Sequence, residues 1–131
     1  MPAQENIEVV QAYLADHDAK FMVEEAKFFD FSQPEPLQGP EAIGAMLTLF
    51  YQTAFSEARA ETRNLLADDE RVVLEFTFHG VHTGDFFGTA PTGNRVEVPM
   101  CVVYDVRDGA IHEGRLYYDS ALMSRQLGLI E

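Results

Sequence analysis

The sequence predicts an α+β fold, an antiparallel sheet with helices from the N-terminal half packed against it, and three observations carry the prediction. Between Val72 and Asp119 three successive runs alternate in the period of two expected of strands whose two faces differ. Asp108-Gly109 separates the second run from the third, and this is a residue pair that tight hairpins with positive φ favour. Upstream, apolar residues recur at helical spacings.

Each element follows in order. Asn6 to His17 reads as an amphipathic helix through Ile7, Val10, Leu14 and His17. Its end, Asp16-His17-Asp18, is no acid-base cluster, because adjacent helical side chains diverge. Phe21-Met22-Val23 closes a second short helix, and Ala26 to Phe31 follows as a strand with Phe28 and Asp30 on one face and Phe29 and Phe31 on the other. Aspartate disfavours strand interiors, so Asp30 among phenylalanines calls for a reason beyond folding. Ser32 to Pro40 reads as a loop that Pro34 and Pro36 keep irregular, and Gly39-Pro40 opens the next helix. Ile43, Met46, Leu47, Phe50 and Ala54 form that helix's apolar stripe. Arg59 to Ala67 is a strand whose Arg59, Glu61 and Arg63 mark a solvated face, and Asp68-Asp69-Glu70 is a turn.

Arg71 to His79 sets Val72, Leu74, Phe76 and Phe78 against Glu75, Thr77 and His79. Arg95 to Val106 places Val96, Val98, Met100, Val102 and Tyr104 on one side and Cys101 and Val103 on the other, a pattern expected of a central strand buried on both faces. Ala110 to Asp119 is the returning strand, and Asp119 caps a helix beginning at Ser120. No repeat, low-complexity tract or linker interrupts the chain, so residues 1–131 are expected to form one domain.

Composition excludes several functions. With 22 acidic against 9 basic residues the net charge is −13, which repels phosphate backbones and anionic membranes, so neither nucleic acid nor membrane is an expected partner. A single cysteine rules out an internal disulfide, and Cys101 fits a small buried hydrophobe. Neither a basic-then-apolar leader nor an apolar run of membrane length occurs, so a cytoplasmic location is the expectation. No two histidines stand at metal-ligand spacing and no glycine-rich phosphate loop is present, so no metal or cofactor is expected.

Five motifs in order carry a resemblance: Gly80-Val81-His82-Thr83-Gly84-Asp85-Phe86-Phe87-Gly88, Pro91-Thr92-Gly93, Asp108-Gly109-Ala110-Ile111, Tyr118-Asp119 and Arg125-Gln126-Leu127-Gly128. Together they resemble the SnoaL-type polyketide cyclase and ester cyclase-like family of the nuclear transport factor 2-like superfamily. The resemblance implies a cone: a highly curved antiparallel sheet with the N-terminal helices on its concave face, a blind apolar pocket inside, and a homodimer formed through the outer sheet face. It also implies an acid-base aspartate on the last strand and a histidine on the strand before it. Leu116 and Val102 occupy those two places here. In the related limonene epoxide hydrolases an asparagine and a tyrosine stand where this chain has Asp30 and Phe28.

The candidate catalytic residues are therefore Asp30 and His79, with Glu75 to orient the imidazole if that face lines the pocket. The other reading of His79 and Glu75 is an exposed or dimer-facing edge, and of Asp30 a hydrogen bond to loop amides near Pro34 or Gly39. Extending the period of two along the last strand puts His112, Leu116 and Tyr118 on one face. With Phe28, Glu75, Phe86 and Val102 they are the expected contacts of a small, mostly apolar, polyketide- or terpenoid-like molecule. His82 braces the rim loop. Two functions remain open, a cofactor-free cyclase, isomerase or hydrolase-like enzyme with a relocated acid-base site, and a non-catalytic ligand-binding or dimerisation module.

Overall fold

Proline is well placed in the first turn of a helix, where its missing N–H is no loss, and two helices begin on one: α1 (Pro2–Asp16) and α2 (Pro40–Thr48). The structure, a computed structural model, describes residues 2–16 and 19–130. His17 and Asp18 lie outside the described residues, and with them the expected end of the first helix. α1 starts earlier than its apolar stripe suggests and buries Asn6, Val10 and Tyr13. The Asn6 side chain donates to the Asp68 carbonyl at 3.2 Å, tying this helix to the turn between two strands.

Ala19–Phe21 forms a single 3-10 turn, and β1 (Met22–Asp30) begins directly after it, so Met22 and Val23 belong to the strand and not to a second helix. Leu37–Gln38 forms a short edge strand, β2, within the stretch expected to be loop. α2 continues into a π turn over Leu49–Thr53. β3 (Phe55–Ala67) and β4 (Arg71–His82) are both longer than their sequence patterns indicate. β5 (Arg95–Arg107), β6 (Ala110–Tyr118) and α3 (Ser120–Gln126) complete the chain. Asp108 and Gly109 have φ of 52° and 75°, the conformation the Asp-Gly pair predicts for this hairpin. Asp119 Oδ1 accepts the Leu122 N–H at 3.0 Å and caps α3.

The six strands form one curved, open sheet in the order β2-β1-β6-β5-β4-β3. All neighbours are antiparallel except β1 and β6, which run parallel. Those two strands are far apart in sequence, so no hairpin dictates their direction. β5 is central as expected but is buried on one face only: Cys101 and Val103 are half-buried on the outer side.

The helices cover the concave face, and the core lies between. At one end of it Phe50, Phe55, Phe78 and Phe86 form an aromatic cluster with centroids 5.1–5.6 Å apart in edge-on pairs. Across the middle, the Phe28 ring packs against Gly114, where a Cβ would come 2.7 Å from its Cδ2.

Candidate functional site

Register places four inward residues in a row across the sheet. Asp30 pairs with Leu116, Leu116 with Val102, and Val102 with Leu74. The places where the resemblance puts an aspartate and a histidine are thus cross-strand neighbours, and Asp30 is the next residue in the same line. It is 8% exposed and the one ionisable side chain of the four.

Beneath this row lies a deep cavity of about 360 Å³, walled by Phe28, Leu74, Phe76, Met100, Val102 and Leu116 from the sheet and by Met46, Leu47 and Phe50 from the helical side. Two tyrosines, Tyr51 and Tyr104, bring the hydroxyls to this apolar enclosure. Neither hydroxyl has a hydrogen-bond partner among the described residues. Burial pushes the Tyr51 phenol up to about 12 and that of Tyr104 higher still, so both remain neutral donors at any physiological pH. Sequence reasoning had Tyr104 in the core and passed over Tyr51. The signals were present: Tyr104 shares the parity of Val102, and Tyr51 stands four residues after Leu47.

A second cavity of about 440 Å³ adjoins the first, with Phe28 and Met46 common to both walls. Asp30, Gln33, Glu35, Leu37, Leu49 and Phe87 contribute to its lining. Asp30 Oδ1 accepts the Ser32 N–H at 2.9 Å and the Ser32 hydroxyl at 2.6 Å. With that proton engaged, Ser32 Oγ accepts from the Tyr118 hydroxyl at 3.1 Å, completing a chain from Tyr118 through Ser32 to the carboxylate. The hydrogen bond read for Asp30 toward loop amides near Pro34 or Gly39 is made instead to Ser32, at the start of the loop. The second Asp30 oxygen, Oδ2, is buried without a hydrogen-bond partner among the described residues. Phe87 holds φ of 48°, a region bulky residues rarely occupy, at the tip of a tight turn closed by Phe86 and Thr89.

The other candidates lie elsewhere. Leu74, Phe76 and Phe78 of β4 line the deep cavity, so His79 and Glu75 face outward. His79 Nε2 contacts Glu61 Oε1 at 2.8 Å, and Glu75 accepts from Asn64. That bond to His79 holds the Glu61 carboxyl below its usual range, with Arg63 adding to the effect. The expected convergence of Asp30 and His79 in one cavity is therefore not found: apolar residues take the inner face of β4, and the opposite face carries exposed Glu75, buried Thr77 and a His79 side chain only 12% exposed. His112 is likewise outside the cavities, hydrogen-bonded by Arg107 at 3.1 Å. The register moves from Asp105↔Glu113 to Val106↔Ile111, so His112 is the extra residue of a bulge and loses the parity of Leu116. Phe86 turns into the aromatic cluster, leaving Phe87 on the cavity wall. Tyr118 meets the site through Ser32 alone, whereas Phe28, Val102 and Leu116 line the deep cavity directly.

His82 is fully buried at the rim. The Thr92 N–H donates to its Nδ1 at 3.2 Å, so the imidazole braces the rim loop. Burial, and secondarily Glu75, raises the Cys101 thiol, which leaves it protonated and a poor nucleophile. Among the described residues no group of three or more His, Cys, Asp or Glu is placed to hold a metal ion, and no helix is long and apolar enough to cross a membrane.

Comparison with known proteins agrees with this fold. The model of the SnoaL-like polyketide cyclase family matches residues 8–127. A search of curated proteins finds no match. Among solved structures, a protein from Jannaschia sp. CCS1 described as a SnoaL-like polyketide cyclase superposes with a TM-score of 0.85 at 19% identity, over 98% of this chain and 95% of that one. A protein from Xanthomonas campestris pv. campestris described as a polyketide cyclase gives 0.76 at 25% identity, over 97% and 99%. An LEH-like epoxide hydrolase from M. tuberculosis gives 0.72 at 20% identity, over 95% and 90%.

Proposed function

Since the chain belongs to the SnoaL-like polyketide cyclase family, we propose that it binds a small, largely apolar molecule of polyketide or terpenoid type in the deep cavity beneath the sheet. The observation that carries this reading is a mostly apolar cavity of about 360 Å³, with Arg59 on its wall and two tyrosine hydroxyls that have no hydrogen-bond partner among the described residues. The volume falls in the range of small-molecule sites, and a few convergent polar groups in an apolar wall are what orients a ligand there. Neutral phenols favour a ligand carbonyl or hydroxyl as the acceptor. Leu116 and Val102 cannot transfer protons, so ring closure or isomerisation in this cavity requires a group from elsewhere. A second copy of the chain covers the outer sheet face in this reading, giving a homodimer.

A panel of bicyclic ketones, phenols and cyclic terpenoids, screened by ligand-observed NMR and thermal shift, tests the proposal. At least one member should bind, and Val102→Phe, which fills the cavity, should abolish its binding. Binding indifferent to Val102→Phe would place the ligand elsewhere and end this reading. A bound compound recovered chemically altered would decide for an enzyme over a pure binding module.

A further inference from the structure

We propose that Met46 sets the length of ligand this protein accepts, and that the ligand is an elongated, mostly apolar molecule with a carbonyl at its inner end and an uncharged polar group at its outer end; the inference rests on the binding reading above. The two cavities, of about 360 and 440 Å³, share two wall residues, Phe28 and Met46. On the helical side the walls are two stripes. Ala42, Ala45, Met46 and Leu49 line the second cavity at the spacing of one helix face, while Met46, Leu47, Phe50 and Tyr51 line the deep one. Met46 is where the stripes meet.

The two shared residues differ in freedom. Phe28 is buried in β1, its ring so close to Gly114 that a Cβ there would lie 2.7 Å from Cδ2 and 2.9 Å from Cε2. Met46 is half-buried on α2, and small Ala42 and Ala45 stand beside it on the second cavity's wall. An unbranched thioether with three rotatable bonds repacks at little cost. Swinging it aside joins the two cavities past the edge of Phe28, and a chain too long for the deep cavity continues into the second.

The lining of the second cavity selects what ends there. Asp30, Glu35 and Gln33 contribute to it, and no basic residue does. Carboxylates repel an anionic end through space without touching it, whereas a hydroxyl, ester or amide meets no such repulsion and has Gln33 on the wall as a partner. At the inner end the Tyr51 and Tyr104 hydroxyls receive the carbonyl.

Methyl ketones from 2-hexanone to 2-undecanone test the inference, with dissociation constants from ligand-observed NMR. In wild-type protein affinity should rise about fourfold for each added methylene along the whole series, the gain expected while every methylene is buried. Met46→Phe, which closes the passage with a stiffer side chain, should bind the short ketones within about twofold of wild type and stop gaining for the longer ones. Met46→Ala, which leaves the passage open, should keep the gain to the end of the series. A wild-type series that levels off where Met46→Phe does, or variants that shift every length alike, overturns the role of Met46. The keto acid 10-oxoundecanoate should bind at least about tenfold more weakly than its methyl ester, and equal binding overturns the uncharged outer end. Failure of every ketone in a protein that binds the cyclic compounds above removes the elongated ligand and spares the binding reading; failure of both sets removes both.

Discussion

Arg115 and Asp105 show what one side chain contributes on the outer face. The guanidinium donates to both Asp105 oxygens at 3.0 Å and also meets Glu113. This fork holds the Asp105 carboxyl below its ordinary range, against the opposing effect of desolvation and with help from Arg71. The folded value is depressed, so the contribution is present above the unfolded carboxylate value near 4 and is lost as pH falls through the folded value. Arg115→Met should cost about 1–2 kcal/mol at neutral pH, discounted because both partners keep some solvent contact. The gap between mutant and wild type should narrow below about pH 4. Urea midpoints at pH 6 and pH 3 measure it. Tyr104→Phe is the contrasting case: its hydroxyl has no partner among the described residues, so folding stability should stay within about 0.5 kcal/mol while binding of a carbonyl ligand weakens roughly 5–10-fold. Isothermal titration beside a thermal melt separates the two effects. At this scale the sequence marked Asp30 through its unlikely neighbours, but could not reveal that Oδ2 lacks a partner, which depends on where Ser32 places its hydroxyl.

Strands were legible as far as their alternation ran unbroken. The period of two gave the inner face of β5 correctly and the hairpin at Asp108-Gly109, because both rest on local chemistry. It misplaced His112 because a bulge has no residue code of its own and inverts every side chain beyond it. β2 was hidden because only Leu37 and Gln38 pair, in a stretch next to Pro36. Parallel pairing of β1 with β6 makes a prediction of its own. Phe28 and Gly114 face each other across that pair, and the ring fills the space a Cβ would need. Gly114→Ala should therefore destabilise by about 1–3 kcal/mol, the usual cost of overpacking. Because the displaced ring belongs to the walls of both cavities, ligand binding should weaken as well. An unchanged melting temperature would show that Phe28 has room to move.

For the whole molecule, the cone was predictable from the motif order and an apolar pocket inside it was expected, while the two adjoining cavities and their walls were not, since a cavity's shape depends on how α1, α2 and the π turn seat on the sheet. The same uncertainty extended to the outer face. There Phe29, Phe31 and Tyr117 form a ring stack with centroids 5.7 and 5.1 Å apart, and Phe31 and Tyr117 remain 57% and 48% exposed. Half-buried Cys101 and Val103 continue the apolar character along β5. A second copy pairing through this surface must bring together two chains of net charge −13, so repulsion opposes association at low salt. Added salt shortens the screening length to about 3 Å at 1 M and should tighten the dimer, the reverse of what interfacial ion pairs alone would give. Sedimentation velocity across protein concentration and ionic strength reads this directly. Phe31→Glu should weaken the dimer at least about tenfold, as expected for replacing an aromatic anchor by a charge. A monomer at every concentration and salt level would assign the aromatic stack to some other surface contact and leave each cone to act alone.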